Sequence, residues 1–132
     1  MRHAWLALSL LFACQVATGP VDPVWGKQAC EHCMMLLSDR RAAAQVQRDD
    51  GSHVHFDDIG CMMAWLAEHD RALRGRWVRD GDGWVAAAQA RYGTGHTTPM
   101  DYGLLVDPQG MSFEAARSWV HERSLAREEA LR

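Results

Sequence analysis

The chain has 132 residues, 48% of them apolar, and a formal net charge of -3. That length predicts one folded domain, and the composition is ordinary for a packed globular core. Acidic and basic residues are interspersed without a basic block, so there is no electrostatic footprint for a nucleic-acid partner.

The first residues read as an export signal. Arg2 and His3 precede the apolar run Ala4 to Ala13, which is too short to cross a bilayer as a helix. The run ends Leu11-Phe12-Ala13-Cys14, which resembles the bacterial lipobox. Cleavage after residue 13 would leave Cys14 as a lipidated N-terminus, and Gln15 in place of aspartate favours the outer membrane. The alternative is an ordinary signal peptide with an incidental Cys14. Residues 14–24, with Pro20 and Pro23, read as a flexible tether, and the folded domain is expected over 25–132. The compartment is then oxidising, and the three remaining cysteines, an odd number, leave at least one thiol unpaired.

Next in the chain, Ala42 to Arg48 and His53 to Asp57 flank Asp49-Asp50-Gly51, a strong hairpin signal. Asp57 or Asp58 caps a predicted helix from Ile59 to His69, with Ile59, Met62, Met63 and Leu66 on one face. Gly75 to Arg79 reads as a strand. Trp84 to Tyr92 is apolar but alanine-rich and fits strand or helix. Tyr102 to Val106 reads as a strand and Asp107 to Gly110 as a turn. Ser112 caps a helix from Phe113 toward Arg123, with Phe113, Ala116 and Val120 inward and a charged tail beyond. The pattern is α+β, with a faint echo between the two halves.

Chemistry concentrates at Cys30-Glu31-His32-Cys33-Met34-Met35, which places two thiols, an imidazole and two thioethers within six residues. Soft sulfur ligands select copper(I) over hard cations, and thioethers argue against zinc. Alternatives are a plain disulfide, a thioredoxin-like redox pair, or half a zinc site completed by Cys61 and a histidine. Met62, Met63 and Cys61 read as core. His53 and His55 share one strand face. Met100, in a loop rich in Thr and Gly, has less reason to pack and is a candidate ligand; His96 and His32 are weaker ones. Asp57-Asp58 reads as a cap exposed to solvent. No nucleophile–base set accompanies it, so a non-enzymatic role is expected.

Four segments in this order, CEHCMM (30–35), HFDDIGCM (55–62), WVAAAQARY (84–92) and TTPMDYG (97–103), resemble the NosL family of accessory lipoproteins for nitrous oxide reductase assembly, used in denitrification. The resemblance spans about Trp25 to Asp107. It implies two similar ββαβ units in one compact domain facing the periplasm. It also implies copper(I) binding, with delivery toward the copper–sulfide centre of the nitrous oxide reductase apo-enzyme and with its membrane assembly transporter as partner. The family's Cys-x-Met motif falls on Cys33 and Met35, its loop methionine on Met100, and Cys30 ranks after these. The chain departs from the family at Met34 and Asp101, where glycine is usual; Met34 is an alternative to Met35 as ligand. The competing reading is a periplasmic thiol–disulfide oxidoreductase using Cys30 and Cys33.

Overall fold

The hairpin forms where the Asp-Gly signal places it. The structure, a computed structural model, describes residues 16–132, so the expected signal peptide and Cys14 lie outside the described residues. Strand β1 (Ala44–Arg48) pairs antiparallel with β2 (His53–Phe56), Ala44 opposite Phe56 and Gln47 opposite His53. Gly51 turns the chain at φ 89°, a left-handed conformation in which a side chain is strained. Helix α1 (Ile59–His69) follows, and the Asp58 carboxylate accepts from the Gly60 N–H at its start. Strand β3 (Leu73–Asp80) extends beyond the expected Gly75 to Arg79 and pairs with the other side of β1; β4 (Gly83–Ala86) then pairs with β3. The sheet order is β2-β1-β3-β4, all antiparallel.

Strand alternation divides the sheet. Ala44, Val46, Val54, Phe56 and Val78 join Ile59, Met62, Met63 and Leu66 of α1 in one core. Each of the larger of these side chains contributes about 1.5–3 kcal/mol by leaving water. The apolar stripe of α1 thus packs as its periodicity predicts.

The second half is smaller. The ambiguous segment Trp84 to Tyr92 resolves into β4, a turn closed by Ala86 carbonyl contacts from the Gln89 and Ala90 N–H groups, and the start of β5 (Tyr92–Gly93). Strand β6 (Leu105–Val106) pairs with β5 and is shorter than the expected Tyr102 to Val106. Helix α2 (Phe113–Ala130) is capped by Ser112 and buries Phe113, Ala116 and Val120; the charged tail extends it past Arg123. The fold is therefore α+β, with ββαβ in the first half. The second half is ββα: β4 is taken by the first sheet, and no strand follows α2 among the described residues.

The segment expected to be a tether is bound to the fold from Val16 onward. The outward side chains of β1 are glutamines, and their amides act as an additional strand's backbone. Gln45 Oε1 accepts from the Val21 N–H (2.9 Å) while its Nε2 donates to the Val21 carbonyl (3.0 Å). Gln47 accepts from the Gly19 N–H (3.2 Å) and donates to the Ala17 carbonyl (2.9 Å). His53 and His55 reach the Gly19 and Val21 carbonyls through Nε2, and Asp22 accepts from Arg79 and the Trp84 indole N–H. Both glutamines are buried under this strap. Two prolines suggested a linker because the partners that hold the strap are side chains far along the chain.

Two outcomes follow. Replacing Gln45 by Ala leaves the Val21 N–H unpaired and the Val21 carbonyl with His55 as its remaining partner, and is expected to lower unfolding free energy in urea by about 1–3 kcal/mol. The second concerns pH: burial pushes the pKa of His55 below its ordinary 6.5, against the Val21 carbonyl. The unfolded chain takes up this proton first, so stability is full above the unfolded value and is lost as pH falls through the folded one. Denaturation midpoints should drop from about pH 7 to about pH 5, and His55→Gln should flatten that slope.

Candidate metal centre

The first two cysteines lie at the tip of a short ribbon. Ala29 bridges Leu36, and the Leu37 N–H donates to the Gln28 carbonyl. Between them the Cys30 N–H donates to the Met35 carbonyl (2.7 Å) and the Met34 N–H to the Cys30 carbonyl (3.0 Å), closing a tight turn. The ribbon lies along the free edge of β2, where the Glu31 N–H donates to the His55 carbonyl (2.9 Å). This CxxC occupies a turn and does not open a helix. Cys61 comes from a different element, the first turn of α1.

The Sγ atoms of Cys30, Cys33 and Cys61 all lie within 4.8 Å of one another. All three are free thiols; Cys30 and Cys61 are buried and Cys33 is half-buried at the mouth. The Cys61 thiol donates to Cys30, and backbone N–H groups of Cys33, Asp57 and His32 add to it; together they outweigh burial and lower the Cys30 pKa to about 5. The same hydrogen bond, with burial, pushes Cys61 up. Burial raises Cys33 as well. The shifts run in opposite directions, favouring the thiolate at Cys30 and the protonated thiol at Cys33 and Cys61. These three cysteines can bind a metal ion, which would displace the remaining thiol protons.

Two carboxylates hold this site together. Asp57 Oδ1 accepts from the backbone N–H groups of Ser38 (2.6 Å) and Asp39 (3.2 Å), securing the chain that leaves the cysteine ribbon. Besides capping α1, Asp58 accepts through Oδ2 from the Thr98 hydroxyl (2.6 Å) and the Met100 N–H (3.0 Å). The expected cap is present, but the expected solvent exposure is not: both aspartates are fully buried, because their acceptor atoms are consumed by loops packed over them. The Thr98 hydroxyl also accepts from the Gly103 N–H (2.9 Å). Tyr102 closes over Gly60, where a side chain would collide with its ring. From the other side, Arg127 of α2 donates to the Met100 carbonyl (2.9 Å) and stacks on Tyr102.

Of the residues singled out in the sequence, the structure therefore joins Cys30 and Cys33. Met35 follows in the same turn and is 51% exposed, and Met34 is 72% exposed. Met100 is half-buried against the core, on the loop tied to Asp58. His32 and His96 are exposed and stand outside the thiol group. Cys61 lies in the core as the sequence reading placed it, but that reading gave it a ligand role only in the zinc alternative and left it out of the copper site. The signal for it was its place, three residues after an N-cap aspartate, together with the odd number of cysteines.

The backbone also bears on the two departures from glycine. Met34 has φ 65° and Asp101 has φ 55°, both left-handed. Side chains there cost roughly 1–2 kcal/mol of strain, partly offset against glycine's greater entropy loss on folding. Met34→Gly and Asp101→Gly are each expected to raise stability by about 0.5–1 kcal/mol, read as an increased urea midpoint at unchanged slope.

No protein-family model matches the chain, and no curated protein or solved structure matches it either.

Proposed function

We propose that the protein is a copper(I) carrier of the NosL type. The observation that carries this reading is the convergence of three thiols with, among the described residues, no imidazole or carboxylate in the same group. Three sulfurs suit the low coordination numbers of copper(I), whereas structural zinc takes four ligands. The graded exposure supports a route for the cargo. Copper(I) meets the exposed thioethers of Met34 and Met35, passes to Cys33 at the mouth, and settles between Cys33 and the buried Cys30 and Cys61. An open coordination position lets an acceptor's ligand enter before the carrier's ligands leave. The Met100 loop, fixed beside the α1 N-terminus through Asp58, supplies a further thioether near this route.

The left-handed backbone at Met34 and Asp101 supports the resemblance, since these are the positions where the family carries glycine. On this reading the chain is exported, is anchored by lipid on Cys14 at the outer membrane, and catalyses no reaction. It delivers copper for the copper–sulfide centre of nitrous oxide reductase by way of the membrane assembly transporter.

Anaerobic titration of the reduced protein with copper(I), against a chromophoric chelator, tests the carrier and its ligand set. About one copper per chain is expected, with Cys33→Ser and Cys61→Ser each weakening binding by roughly 100-fold or more, and Met35→Leu by less. Binding that ignores Cys61 would dismantle the three-thiol site in favour of Cys33, Met35 and Met100. No competitive binding would end the carrier reading.

A further inference from the structure

The strap fixes more than the outer face of the sheet; it fixes where the chain enters the fold. Val16, the first described residue, lies at the β1–β2 turn. A side chain at Gly51 would collide with Val16, and Arg74 Nη1 donates to the Val16 carbonyl (2.9 Å) while its Nε donates to the Asp49 carbonyl (2.8 Å). From there the strap runs toward the opposite end of the sheet, through Gly19 at Gln47, Val21 at Gln45 and Asp22 at Arg79. The cysteine cluster lies at that opposite end, where β2 passes into Asp57, Asp58 and α1. Strand β1 alone separates the two ends by roughly 14 Å.

Resting on the reading that Cys14 carries the lipid, we propose that the anchor seats the β1–β2 turn directly on the bilayer and points the cysteine cluster away from it. Only Gln15 intervenes between the lipidated residue and Val16, so the chain allows about 7 Å of reach. A flexible tether of residues 14–24 would let the domain tumble. A strap bound from Val16 onward does not, because leaving the sheet would strip the Gln45 and Gln47 amides of their partners. Charge does not supply the attachment: the exposed side chains at this end include Arg71 and Arg74 but also Asp49 and Asp50. The short covalent reach sets the orientation. The mouth of the site at Cys33, with Met34 and Met35, then faces the aqueous side, where a partner projecting from the opposite membrane or free in the compartment would meet it.

The experiment uses the full chain in bacterial membranes, with the photo-crosslinker p-benzoylphenylalanine in place of Asp50, at the turn, or of Thr97, in the exposed loop at the cysteine end. After irradiation, phospholipid adducts are counted by mass spectrometry, and the Cys14 peptide is examined for its diacylglyceryl mass. Adducts at position 50 should exceed those at 97 by about fivefold or more, because the reach is short. Inserting about ten Gly and Ser residues between Cys14 and Val16, with a mean reach of roughly 17 Å, should level the two positions. A lipidated chain giving equal adducts, or more at 97, overturns the orientation and leaves the anchor standing. A preference for 50 that survives the spacer overturns tether length as its cause. An unmodified Cys14 overturns the anchor and the orientation with it, while the copper titration stands apart from all three results.

Discussion

The adjacent buried carboxylates of Asp57 and Asp58 are the constraint on which the site depends. One holds the chain leaving the cysteine ribbon, through the Ser38 and Asp39 amides; the other holds the α1 N-terminus and the Thr98–Met100 loop. Two neighbouring residues thus fix the relative placement of three segments through partners up to 42 positions away in sequence. Hydrogen bonds to a carboxylate are stronger than those between neutral groups, and a buried one left without donors is costly. The ribbon exit, the helix start and the loop are thereby tied to one point of the chain. Cys30 and Cys61 meet because the elements carrying them are secured at one point.

Much of the first half was legible because its signals are local. Asp-Gly between alternating runs gave the hairpin, and a cap followed by a four-position apolar face gave α1 at the observed ends. The second half was harder. Alanine-rich residues 84–92 carry no decisive period, and their division between β4 and β5 depends on β3 offering an unpaired edge to Gly83–Ala86. The strap escaped notice for a related reason: its partners are glutamines 24 to 30 residues away. No window of local sequence contains both sides of such a contact.

For the site, residue chemistry pointed to Cys30 and Cys33 and read Cys61 as buried core, which it is, without joining it to them in the copper site. A cysteine among methionines on an apolar helix face looks like packing, and Met62 and Met63 beside it are indeed core. What distinguishes Cys61 is its position in the first turn, where the helix meets the cysteine ribbon. The aspartate pair was misjudged. Two consecutive carboxylates suggest solvent until donors from residues 38, 39, 98 and 100 are seen to occupy them.

The strap also orders the assembly of the molecule in time. The β1–β2 hairpin closes through a short turn, whereas the Gln45 and Gln47 amides close loops of 24 to 30 residues onto the strap. The strap gains its partners only once the sheet exists to receive it, since its hydrogen bonds go to the side chains of a formed strand. Until residues 16–22 dock, the glutamine amides have only water as partner and the sheet's outer face remains open. Docking of this segment then closes the outer face of the sheet and buries both glutamines.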